Sequence, residues 1–131
     1  MRGSKSKNTK PEWRVRRLAH RLGYRYRLHL KALPGCPDLV FASKRKVIFV
    51  HGCFWHQHQD SNCPIVQTPR SNTDYWLPKL RRNVERDLEQ QRKLTELRWA
   101  VLILWECEIM DEKKLRSRLW DFLGPPGAQP A

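Results

Sequence analysis

Val47-Ile48-Phe49-Val50-His51-Gly52-Cys53-Phe54-Trp55-His56-Gln57-His58 runs four apolar residues straight into a loop of His, Cys and aromatic side chains. The apolar part predicts a buried strand, and the loop after it has no periodicity as far as Pro69. So long a loop in a small domain reads as functional or metal-organised. Upstream, Leu39 to Phe41 is a second short apolar run, and Ser43 to Lys46 is a charged turn that joins the two as a hairpin. Before these, Tyr24, Tyr26, Leu28 and Leu30 alternate with Arg25, Arg27 and His29, the pattern of a half-buried strand.

Helical signals flank this β region. Thr9-Lys10-Pro11-Glu12 has an N-cap residue, a proline in the first turn and a Glu three residues after the cap. Val15, Leu18, Ala19 and Leu22 follow at helical spacing, and Gly23 closes the segment. Asn72 or Thr73 caps a second helix with Trp76, Leu80, Val84, Leu88 and Leu94 as its apolar stripe. Pro78 fits there only in the first turn. Trp99 to Trp105 is apolar throughout, as a strand covered on both faces would be. Leu115, Leu119, Phe122 and Leu123 mark a last helix. The order α-β-β-β-α-β-α predicts an α/β domain with a mixed sheet flanked by helices, spanning residues 1–123. A right-handed crossover through the long helix sets the Trp99 strand beside the hairpin. Residues 124–131, GPPGAQPA, read as a flexible C-terminal tail.

One domain is all that 131 residues can build. Charge then narrows the partners: 26 Lys and Arg against 13 Asp and Glu leave a net +13, which suits a polyanion. Residues 1–31 carry 11 basic residues and one acid, Glu12, interleaved with Trp13, Tyr24 and Tyr26. That mixture fits a nucleic-acid surface, although a solvated basic face would look similar. The longest apolar run is seven residues against the ~20 a bilayer requires, so no membrane span is expected. MRGSKSKNTK has no apolar stretch and reads as no secretory signal. Four cysteines in such a chain predict metal ligands or buried thiols in a reducing cytosol rather than disulfides.

Three of those cysteines share a chemistry with the histidine loop. Cys53, His58 and Cys63 are spaced to wrap one ion, and Cys107, just past an apolar strand, can supply a fourth ligand. Three thiolates and an imidazole make a closed, structural zinc site. The competing reading of Cys107 is a buried thiol. Asp38, at the mouth of a strand after Pro37, is either a turn residue or the carboxylate of a hard divalent cation shared with a backbone carbonyl. Such a cation polarises a phosphodiester and activates water. His51 and His56 suit proton transfer on a phosphate ester. Phe54, Trp55 and Trp76 stand in polar surroundings, where they either pack over the metal loop or act as wedges between base steps.

Taken together, Thr9-Lys10-Pro11-Glu12, Leu33-Pro34-Gly35-Cys36-Pro37-Asp38, the Val47–His56 block, Tyr75-Trp76, Asn83-Val84-Glu85-Arg86-Asp87 and Trp105-Glu106-Cys107 resemble the very-short-patch repair (Vsr) endonuclease family, in order from Met1 to about Ile109. The resemblance implies a restriction-endonuclease-like fold with a zinc loop. It implies a strand-specific endonuclease, a phosphodiester hydrolase that nicks 5′ of the T in a T:G mismatch and so starts repair of deaminated 5-methylcytosine. In that family's terms Asp38 holds Mg²⁺ with the Val50 carbonyl, His56 is the catalytic histidine, and Glu12 and His51 support the metal's waters or the phosphate. Cys53, His58, Cys63 and Cys107 hold Zn²⁺. Phe54, Trp55, Trp76 and Met1 intercalate, and Lys79 and Asn83 read the mismatched pair. A monomer in the bacterial cytoplasm acting on double-stranded DNA is implied, with mismatch-repair proteins such as MutL as protein partners.

The chain departs from the family pattern in several places. Four residues separate His58 from Cys63 where the family usually has one, and Cys36 stands where it usually has Arg. Met1 falls at the family's inserting methionine and Ser4 replaces a nearby apolar residue, which weakens the minor-groove arm. Val50-His51 replaces the Glu-x-Lys of related nucleases, so His takes over proton chemistry. Two alternatives stand beside the leading reading: a Vsr-like nicking nuclease with relaxed or different target choice, and a zinc-stapled DNA-binding module without cleavage. The presence of Glu12, Asp38, His51 and His56 together argues against the last.

Overall fold

The computed structural model describes residues 9–58, 63 and 69–126. Helix α1 (Lys10–Arg21) leads into strand β1 (Arg27–Leu28), and β2 (Leu39–Phe41) and β3 (Lys46–His51) follow. Helix α2 (Thr73–Glu96), strand β4 (Ala100–Trp105), a single turn of helix α3 (Glu106–Ile109) and α4 (Glu112–Leu123) complete the chain. The sheet is mixed, in the order β1-β2-β3-β4. The first three strands are antiparallel; β4 joins β3 in parallel, with Lys46 opposite Ala100 and His51 opposite Trp105.

Period-two alternation in β3 sorts the core into two layers. Ile48 faces a cluster of Val15, Leu18 and Ala19 from α1 and Leu115, Leu119 and Leu123 from α4. Val47 and Phe49 face the other way, onto Val40 and onto Leu94 of α2. Helices on both faces of one small sheet leave the strand ends free to build a site, and the C-terminal end of β3 is where it forms.

The N-terminal helix starts as its sequence predicts: Thr9 is extended and its Oγ1 accepts from Glu12 N at 3.3 Å. Gly23 follows the C-cap with φ 102, a conformation open to glycine. Other expectations need correction. The strand predicted from Tyr24 to Leu30 pairs only at Arg27 and Leu28, because His29 turns left-handed at φ 46 and ends the ladder. Leu28 is consequently exposed, not inward-facing. In α2 only Leu80 and Leu94 are buried, and Leu88 lies in solvent. Pro78 is inside the helix, beyond the first turn; lacking an N–H, it leaves the Asp74 carbonyl without its usual partner. Asn72 occupies the N-cap but makes no side-chain cap bond. Strand β4 touches apolar residues on both faces yet buries only Leu104, because it is the sheet's edge. Short helix α3 had no signal in the apolar pattern.

The beginning of the C-terminal segment is tied down, with Tyr24 Oη donating to the Gly124 carbonyl at 2.5 Å. Residues 127–131, and the N-terminal arm with Met1 and Ser4, lie outside the described residues. No helix among the described residues is long and apolar enough to cross a membrane.

Candidate active site and metal centre

A cleft of about 640 Å³ opens at the ends of β2 and β3, between the N-terminus of α1 and one face of α2. Glu12, Asp38, Val50, His51 and His56 line it, as do Lys79 and Asn83. Each arrives there for a local reason. Glu12 is fixed by the Thr9 cap. Asp38 follows Pro37, which is fully buried, and the tight turn at Gly35. A Cβ on Gly35 would meet the Phe49 ring at 3.0 Å, and φ there is +78, so only glycine fits that turn. Lys79, Asn83 and Asp87 are spaced by four along α2 and share the face it turns to the cleft.

Asp38 is held by Val50 N, which donates to Oδ2 at 2.7 Å. Burial, with help from the Glu12 charge, pushes its carboxyl up to about 7, although the Val50 N–H and Arg16 act against the rise. Ligand atoms of Glu12, Asp38 and His29 all lie within 4.8 Å of one another. Arg16 pairs with Glu12 and lies close enough to Asp38 to act on its carboxyl as well. The donor set fits a divalent cation: one carboxylate from the start of β2 and one from α1, both buried and mutually repelling, are stabilised by positive charge.

A second cluster adjoins the first. His56 Nδ1 lies 2.5 Å from Asp87 Oδ2. A carboxylate accepts only, so Nδ1 carries the hydrogen and Nε2 is the nitrogen left for proton exchange. The ring of His56 stacks on that of His51 at 3.8 Å, tilted by 6°. Burial, and then the neighbouring His56, push His51 down to about 3, so it stays a neutral imidazole across physiological pH. Its Nδ1 is buried with no hydrogen-bond partner among the described residues. Of the pair, His56 is therefore the one equipped to move a proton.

The four zinc candidates converge behind this pair. Atoms of Cys53, His58, Cys63 and Cys107 lie within 4.8 Å of one another. His58 Nδ1 is 3.7 Å from Cys53 Sγ and 3.4 Å from Cys107 Sγ. Ordinary Zn–S and Zn–N bonds in a tetrahedron put such atoms about 3.6 Å apart, so the donors fit that ion. Burial pushes both the Cys53 and the Cys107 thiols up, and coordination is what turns such thiols into thiolates. The longer spacing between His58 and Cys63 still returns Cys63 to the cluster, although residues 59–62 lie outside the described residues. Cys36 stays out of the zinc cluster and lines the cleft. Trp105 joins the two centres, stacked on His58 at 4.2 Å and edge-on to His51 at 5.1 Å.

Phe54, Trp55 and Trp76 form one aromatic cluster with centroids 5.1 to 5.8 Å apart, and Trp55 brings it to the cleft. Tyr75 adds an exposed ring beside Trp76. The three rings are only half-buried, so they pack on each other and still present faces outward. Lys79 Nζ lies over Trp55 at 5.6 Å, and Asn83 donates to the Trp55 carbonyl at 3.2 Å.

His29 and Asp87 belong to the site, yet neither was singled out from the sequence. Asp87 had a usable signal, four residues beyond Asn83 on a helix. His29 had none, since alternation assigned it to the solvent side of a strand.

A family model described as DNA mismatch endonuclease Vsr matches residues 1–62. The chain is 50% identical over 125 residues to the type II nicking enzyme V.XorIIP of Xanthomonas oryzae pv. oryzae, covering 95% of this chain and 90% of that protein. It is 42% identical over 115 residues to the DNA mismatch endonuclease Vsr of Escherichia coli, covering 88% and 72%. To the type II nicking enzyme V.NmeAIP of Neisseria meningitidis the figures are 41% over 114 residues, covering 87% and 79%.

Proposed function

This chain belongs to the Vsr family of DNA endonucleases, and from that premise we propose that it nicks one strand of duplex DNA 5′ of the T in a T:G mismatch. The repair of deaminated 5-methylcytosine is the role this activity serves, and the framework is of the restriction-endonuclease type. One observation carries the reading: Asp38 and the His56–Asp87 pair line a single cleft together with Trp55, which is part of the aromatic cluster.

In this reading Asp38 and the Val50 carbonyl are the groups that would hold a Mg²⁺ ion. Held there, such an ion would supply positive charge beside the scissile phosphate and acidity to a water. Glu12 and His51 orient what surrounds it. His56, its Nδ1 fixed by Asp87, passes a proton through Nε2 to or from the phosphodiester oxygens. Cys53, His58, Cys63 and Cys107 hold Zn²⁺ and so set the path of the loop that carries His56. Phe54, Trp55 and Trp76, with Met1 from the arm, enter the duplex, and Lys79 and Asn83 meet the mismatched bases. The protein works as a monomer on DNA in the bacterial cytoplasm, with MutL-type repair proteins as its partners.

His56→Ala is expected to slow cleavage by ~10²–10⁴-fold, the usual loss for a general acid–base, with metal content unchanged; a rate within a factor of three of wild type contradicts the role. Trp55→Ala is expected to weaken binding to a T:G duplex more than to a paired duplex, read by fluorescence anisotropy. Equal losses on both would return Trp55 to simple packing. The reaction itself is tested on T:G duplexes labelled on one strand or the other: only the T strand should be cut, at one position. Cutting of both strands, or of the G strand alone, defeats the reading.

A further inference from the structure

His29 stands where no sequence pattern put it. Strand β1 stops at Leu28, and His29 adopts a left-handed φ of 46 with its N–H donating to the Asp38 carbonyl at 3.3 Å. A side-chain-bearing residue in that conformation is strained and persists where its surroundings fix it, often at ligand clamps. Here the turn aims the ring at the two carboxylates: Nε2 is 2.6 Å from Glu12 Oε2 and 3.8 Å from Asp38 Oδ1. Its side chain is 13% exposed. Donor atoms on an octahedral ion at about 2.1 Å are about 3 Å apart when adjacent and about 4 Å when opposite. The first separation is close to the adjacent value and the second to the opposite one, and all three ligand atoms lie within 4.8 Å of one another.

Electrostatics makes an imidazole donor matter. Arg16 is paired with Glu12, and its Nη2 also lies 3.5 Å from His29 Nε2. That guanidinium offsets one of the two carboxylate charges, so the site has less purely ionic hold on a hard cation than its carboxylates suggest. An imidazole adds a lone pair and no charge, and imidazole donors favour transition metals over Mg²⁺.

We infer that His29 is a direct nitrogen ligand of the cation at Asp38, and that the site consequently prefers Mn²⁺ to Mg²⁺. This rests on the proposed reading of Asp38 as a cation ligand. It adds a donor to that reading and predicts an ion preference.

The test uses the zinc-loaded full chain, with Mn²⁺ as the probe. Electron paramagnetic resonance counts bound Mn²⁺, competition with Mg²⁺ gives the preference, and the electron spin-echo modulation reports a directly bonded nitrogen. Wild type should show that nitrogen and hold Mn²⁺ more tightly than Mg²⁺. His29→Gln should lose the nitrogen signal and weaken Mn²⁺ by about tenfold or more, at least what loss of an outer-shell partner costs, with Mg²⁺ affinity changed less. His51→Phe should keep the signal. No nitrogen signal in wild type overturns the inference without need of any variant, as does a signal that survives His29→Gln. In either case Mn²⁺ binding that Asp38→Asn abolishes would leave the underlying reading standing. Mn²⁺ binding indifferent to Asp38→Asn removes that reading as well.

Discussion

Asp38→Asn is expected to abolish cleavage while leaving affinity for duplex DNA nearly unchanged, and to make the metal-free protein more stable at pH 8. Both effects follow from one carboxylate. Its oxygens lie where the cleft gathers Glu12 and His29, and an amide cannot replace a carboxylate as ligand to a hard cation. DNA affinity, by contrast, comes largely from basic side chains elsewhere. The stability effect has a definite sign. Burial raises the carboxyl from 3.8 to about 7 in the folded chain, so the folded state holds the proton more tightly than the unfolded one. Stability from this group therefore falls as pH climbs from about 4 to about 7, and the cost is complete above that. The variant should melt higher than wild type at pH 8 without added divalent cation, with the gap closing toward pH 5. Added divalent cation should raise the wild-type melting temperature at pH 8 and not that of the variant. Full activity in Asp38→Asn would remove this residue from the mechanism.

Cys107→Ser should be the most damaging change to the fold. Cys107 Sγ lies 3.4 Å from His58 Nδ1, and its backbone N–H points at Cys53 Sγ at 3.4 Å. Removing it opens a four-donor cluster, and structural zinc binding is folding free energy. If about 3–5 kcal/mol is lost, a chain of this size should melt about 10–20 °C lower. Zinc content, measured by elemental analysis, should fall from near one ion per chain. Because Trp105 packs on both His58 and His51, activity should fall as well. Unchanged zinc content would defeat the four-ligand assignment.

The sheet and its connections were legible because β3 announces itself: four apolar residues, a charged turn before them and a matching short run upstream. The convergence of Cys53, His58, Cys63 and Cys107 was legible too, since two cysteines and a histidine in one polar loop have few other uses. What escaped the sequence was local backbone geometry. The left-handed turn at His29 is made by a residue with no glycine signal, so alternation carried the strand past its real end. Leu88 fits a helical apolar stripe, but it is turned off the narrow inward face of α2, which buries only Leu80 and Leu94. Likewise the apolar run Trp99 to Trp105 cannot tell an edge strand from a central one, because burial of β4 depends on what lies beyond it. Asp87 is a different case: helical spacing from Asn83 was enough to find it, and only its pairing with His56 shows why it matters.

The most direct test of the central claim compares two end-labelled duplexes, one with a T:G mismatch and one fully paired, incubated with the zinc-loaded protein with and without Mg²⁺. A single Mg²⁺-dependent nick 5′ of the mismatched T, and none in the paired duplex, is the result expected. Equal cutting of both duplexes, or tight mismatch binding with no cutting at all, would contradict it.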